Sequence, residues 1–274
     1  MPDLVLLTIF VGLFTLLSPF YMILRNKMVL QAKKRKHPLS YYSKKRIFKI
    51  AITILLLMLP TLILMSGIFI TIKLRTGSAD LSQNDLPFVL AFFIASLFVA
   101  YGSGIYIVSV IKEEFTKEDL TLDPKFVLEY ITNEFFHGPV SHVMIFSGAV
   151  FLLLIISLFE LSYPTNMAEQ NYLILYALDG VVLGISLALS HFYNDTWKHQ
   201  LIWTIIALLI HQSVLVTGTQ VSFYEIPFNL FFAIFTFVLN ITLLGKLIWY
   251  HAGRAVYKYE QEEKSLTDSV AVKK

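Results

Sequence analysis

The chain has 274 residues, 56% of them hydrophobic and only 15% charged, with a mean hydropathy of +0.67; a soluble domain of that length needs far more polar surface, so the composition points to a polytopic membrane protein. Cysteine is absent, which excludes disulfides, thiolate metal sites, iron–sulfur clusters and cysteine nucleophiles. The formal net charge of +3 sits on basic residues that flank apolar runs, so no nucleic-acid partner is implied.

A hydrocarbon core of ~30 Å takes about 20 apolar residues to cross as a helix. Seven windows meet that length, at roughly 4–24, 50–72, 86–111, 140–161, 172–192, 201–222 and 227–250. Lipid cannot satisfy open backbone groups, and the runs are continuous rather than alternating, so the predicted fold is an all-α bundle of about seven transmembrane helices. Met1-Pro2-Asp3 puts no positive charge ahead of the first run, which is therefore read as a retained span. Residues 25–49 carry ten Lys or Arg, including Lys33-Lys34-Arg35-Lys36, while the opposite-side loops hold only Lys73 and Arg75. Across all loops the bias is nineteen to two, which predicts an outer N-terminus and a cytoplasmic C-terminus in the cell membrane. The 25–49 loop, with His37 as a solvated residue, could also hold anionic lipid headgroups.

Between the third and fourth windows, Asp123-Pro124 reads as an N-cap and first helical position, and Phe126, Val127, Tyr130, Ile131 and Phe135 form an apolar stripe. That pattern predicts a short interfacial helix on the cytoplasmic face. It leads into "FFHGPVSH", residues 135–142, where Pro139 is expected to start the fourth span. The predicted organisation is one transmembrane domain over 1–259 and a disordered tail over 260–274.

With that orientation, His137, His142, His191 and His199 with Asp195 fall at one membrane face, on the ends of three spans. Neutral imidazoles and a carboxylate suit zinc or iron, so these five are the candidate metal ligands. His251 adjoins Trp249-Tyr250 and reads as part of an aromatic belt. Deeper in the bundle, Asp179 and His211 are a candidate relay or interhelical pair, extended by Gln212 and Asn240. The functional expectation is a metal-dependent enzyme acting on a lipid or other hydrophobic substrate at the histidine rim. The alternatives are a subunit or scaffold of a membrane complex, a transporter working through Asp179 and His211, and a bis-histidine haem carrier.

Overall fold

The computed structural model describes residues 8–9, 59–75, 80–116, 131–133, 135–164, 170–218 and 222–271. The basic 25–49 loop, most of the first window and residues 117–130 of the expected interfacial helix lie outside the described residues. Among the described residues all regular structure is helical. The helices are α1 (Leu59–Leu74), α2 (Leu86–Thr116), α3 (Ser141–Ser162), α4 (Gln170–Tyr193), α5 (Trp197–Gly218) and α6 (Pro227–Ala271), with a π-helical turn, Phe136–Val140, leading into α3.

Among the described residues five stretches are long and apolar enough to cross a membrane: Leu86–Ser109, Ile131–Ser162, Tyr172–Tyr193, Trp197–Thr217 and Pro227–Gly253. Leu62–Leu74 is a shorter apolar helix among the described residues, and residues 50–58 of the second expected window lie outside them. With 31 residues, α2 is about 46 Å long at helical rise, so its last turns pass beyond a hydrocarbon core. The last helix continues to Ala271, so the segment from 260 expected as a tail is helical that far.

The entry to α3 differs from expectation. Pro139 does not start the span; the apolar helical stretch already runs from Ile131 through to Ser162. Proline has no N–H and its ring crowds the preceding turn, and the chain absorbs this by widening into the π turn. The Ser141 N–H reaches back to Phe136 O. Side chains add to the backbone bonds of this turn: Ser141 Oγ donates to His137 O, and His142 Nδ1 lies 3.0 Å from Gly138 O, which the Ser141 N–H also reaches. "HGPVSH" is therefore a repaired break within a helix.

Packing centres on α3, where Leu152, Leu153, Ile156 and Phe159 are fully buried. Phe159 stacks on Phe69 of α1 at 4.2 Å and meets Phe88 of α2 edge-on. Residues Thr8 and Ile9 of the first window are helical, and Ile9 packs against this core. Helices α4 and α6 approach so closely at Gly180 that a Cβ there would lie 2.8 Å from Phe231 O, the small-residue contact usual between membrane helices. Gly148 serves the α2–α3 crossing likewise, since an added Cβ would meet Val99 at 2.7 Å. The tight α4–α5 turn pivots on Asp195, which adopts a left-handed φ of 52°; the Thr196 N–H then bonds His191 O.

Candidate functional site

Two polar regions occupy opposite ends of the bundle. At the histidine end, His137 Nδ1 lies 3.1 Å from Ser109 Oγ on α2, and its ring stacks on Tyr106 at 4.9 Å. His142 is 5.7 Å from His137, ring centre to ring centre, and meets Tyr106 edge-on. Phe146 then stands between His142 and His191, 4.6 Å from the latter. His191 is fully buried, with Nδ1 3.2 Å from Thr196 Oγ1 and no hydrogen-bond partner on Nε2.

The structure thus brings His137 and His142 together, separates them from His191 by a phenyl ring, and leaves Asp195 and His199 exposed on the turn. Asp195 Oδ1 accepts the Trp197 indole N–H at 3.1 Å. Among the described residues no group of three or more His, Asp or Glu could hold a metal ion. The donor set expected for zinc or iron is therefore not assembled: shared depth put these residues at one face, but the helix rotations that packing demands point them at different neighbours.

The deep pair also separates. His211 Nε2 lies 3.0 Å from Asn229 Oδ1 rather than at Asp179, and Asp179 Oδ2 and His211 Nδ1 are buried without hydrogen-bond partners among the described residues. Asn240 accepts from Thr204 Oγ1 at 2.8 Å and donates to Thr236 O. Gln212 is exposed and takes no part.

The residues that the sequence reading passed over are more connected. At the charged end, Glu160 is fully buried: Oε1 accepts Arg75 Nη1 at 3.0 Å, and Oε2 accepts both the backbone N–H and the side-chain amide of Asn229. Asn229 lies in the first turn of α6, where the helix dipole also favours a carboxylate. Asn229 in turn accepts Ser157 Oγ at 2.7 Å. Alongside, Lys73 Nζ is 2.7 Å from Asp85 Oδ2, Tyr163 Oη donates to Asp85 Oδ1, and the Ser82 N–H and hydroxyl close the site. Burial alone would push the Asp85 carboxyl up, but Lys73, Tyr163 and Ser82 together hold it well below the ordinary carboxylate range.

A groove of about 1040 Å³ opens along the side of α2, larger than or comparable to most small-ligand pockets at ~300–1,000 Å³. Ile94, Leu97, Tyr101 and Val108 line its length, and Ser109, Lys112 and Asn133 lie at one end. From Ile94 to Lys112 the helix rises about 27 Å, close to the thickness of a hydrocarbon core. The groove is apolar until its last turn, and that turn is the one hydrogen-bonded to His137. Asn133 Nδ2 donates to Ser109 O at 3.1 Å and ties the segment before α3 to α2. A sequence signal for this was present: Tyr106, Ser109 and Lys112 recur every three residues and so share a helix face.

What the fold and site define is an all-helical chain with spans suited to a bilayer and a lateral apolar groove ending in polar side chains. No protein-family model, no curated protein and no solved structure matches it.

Proposed function

We propose that the chain is a multi-pass membrane protein that takes the hydrocarbon chain of a lipid into the α2 groove and holds its polar end near Ser109, Lys112 and Asn133. The observation that carries this reading is the polarity gradient of the groove: apolar from Ile94 to Val108, then a hydroxyl, an ammonium and an amide within its last turns. A membrane lipid has the same gradient on the same length scale, and the Lys112 charge complements an anionic headgroup. With about seven spans, an outer N-terminus and the loop-charge bias described above, the polar end lies on the cytoplasmic side, and the ligand enters from the inner leaflet. The basic 25–49 loop on that side would enrich anionic lipid nearby. The groove is lateral and apolar rather than a polar passage toward Asp179 and His211, which favours a lipid ligand over a transported polar solute.

A fatty acid with a photoreactive diazirine in its chain, titrated into nanodiscs holding the protein, tests this. Saturable labelling is expected on the peptide spanning Ile94–Val108. A Cβ at Gly104 meets nothing within 4 Å, so Gly104→Trp can fill the groove without displacing a helix, and it should remove most of that labelling. Unsaturable labelling spread evenly over the other lipid-facing helices would overturn the reading.

A further inference from the structure

We propose that Ser109 and His137 form a nucleophile–base pair that cleaves a long-chain acyl ester held in the groove; the inference rests on the groove reading and names its chemistry. Three observations converge. Ser109 Oγ and His137 Nδ1 are 3.1 Å apart, within reach for proton transfer. Ser109, itself buried, is one of the residues lining the groove at its polar end, where the carbonyl of an ester would lie if its acyl chain ran along Leu97 and Ile94. The imidazole is held in place: its ring stacks on Tyr106, and the π turn that carries it is pinned when Ser141 Oγ donates to His137 O.

The hydroxyl rotor has two acceptors in reach, Tyr106 O at 2.9 Å and His137 Nδ1. With the imidazole proton on Nε2, Nδ1 presents its lone pair to Ser109, and rotation of one O–H bond takes the proton from the backbone carbonyl to the base. Oγ then bonds to the ester carbonyl carbon as its proton passes to Nδ1. The carbon–oxygen bond to the alcohol breaks, and that proton leaves with the alcohol. Water, giving its own proton to the same nitrogen, attacks the acyl carbon; the acyl–Oγ bond breaks, the proton returns to Ser109, and a fatty acid is released. Lys112, one turn along α2, and Asn133 line the same end of the groove, where a cation near the reacting carbonyl would favour a developing oxyanion.

Hexadecyl fluorophosphonate is the probe. Attack by Oγ forms an oxygen–phosphorus bond and expels fluoride, which leaves a stable adduct readable by mass spectrometry. The expected result is an adduct on the peptide carrying Ser109 in the full chain in nanodiscs, absent in Ser109→Ala, with a rate about a hundredfold lower in His137→Ala. His137→Phe keeps a ring against Tyr106 and should be as slow as His137→Ala, which separates lost base from lost packing. No adduct on Ser109, or an adduct formed at an unchanged rate in both His137 variants, overturns the pair. Saturable diazirine labelling of the groove without an adduct would defeat this inference alone; loss of both would defeat the groove reading as well.

Discussion

The charged end and the histidine end contain similar numbers of polar side chains and solve opposite problems. At the charged end two buried pairs meet further polar groups: Arg75 with Glu160, Lys73 with Asp85, and Asn229, Tyr163 and Ser82 filling the remaining positions. These contacts tie α1, the start of α2, the end of α3 and the start of α6 into one unit. At the histidine end the polar groups are imidazoles, hydroxyls and amides arranged around aromatic rings, and they border the groove. A closed set of charges is suited to hold helices; imidazoles, hydroxyls and an amide beside an apolar groove, with Lys112 at its end, are suited to meet a ligand.

The contrast is broken most severely at Glu160. Glu160→Ala leaves the Arg75 guanidinium without its carboxylate, and the Asn229 N–H and amide lose their acceptor inside a fully buried site. Removing one member of a buried ion pair costs about 3–5 kcal/mol, so a large loss of unfolding free energy in detergent is expected. Replacing Glu160 and Arg75 together by Leu and Met should recover much of it, because no uncompensated charge then remains. If Glu160→Ala unfolds at the same denaturant concentration as the wild type, the charged end is not what holds these helices.

Acid provides a graded version of the same experiment. The Asp85 carboxyl is held below its ordinary value of 3.8 in the folded protein. A depressed folded value means that the unfolded state binds the proton first, so stability is full above about pH 5 and falls as the pH drops through 3.8 toward the lower folded value. A melting temperature followed from pH 6 to pH 3 should decline at the acid end, and Asp85→Asn should flatten that part of the decline. An unchanged slope in Asp85→Asn would assign the acid sensitivity to other carboxylates.

Continuous apolar runs made the spans at 86–111, 172–192 and 227–250 legible, because hydropathy alone decides whether a helix can lie in lipid. The start of the fourth span was misread for a local reason: Pro139 is a good first helical residue, and nothing in its neighbours announces a π turn that keeps the helix going. Glu160 stands near the end of an apolar run, where the sequence alone leaves it free to reach for water. It is buried instead because Arg75 and the first turn of α6, distant in sequence, converge on it. Depth can be counted along the chain, which is how the sequence groups His137, His142 and His191. Rotation cannot, since which neighbour a side chain faces is fixed by contacts such as Gly148 against Val99 and Phe146 against His191. The Ser109–His137 contact belongs to that second kind of information.

The smallest expected effect sharpens the histidine end most. His199 lies in the first turn of α5 and is exposed, beside a turn whose geometry is set by Asp195 and Thr196 backbone and side-chain contacts that do not involve it. An exposed substitution away from caps and networks changes stability by no more than about 0.5 kcal/mol, so His199→Ala should unfold like the wild type and be labelled by the fluorophosphonate at the wild-type rate. The same substitution in a histidine-rim metal site would strip a ligand and lower both. Running His199→Ala beside His137→Ala therefore separates a rim that works as a ring of donors from one in which only the imidazole facing Ser109 matters, and the structure predicts the second outcome because Phe146 separates His191 from the His137–His142 pair and His199 is exposed on α5.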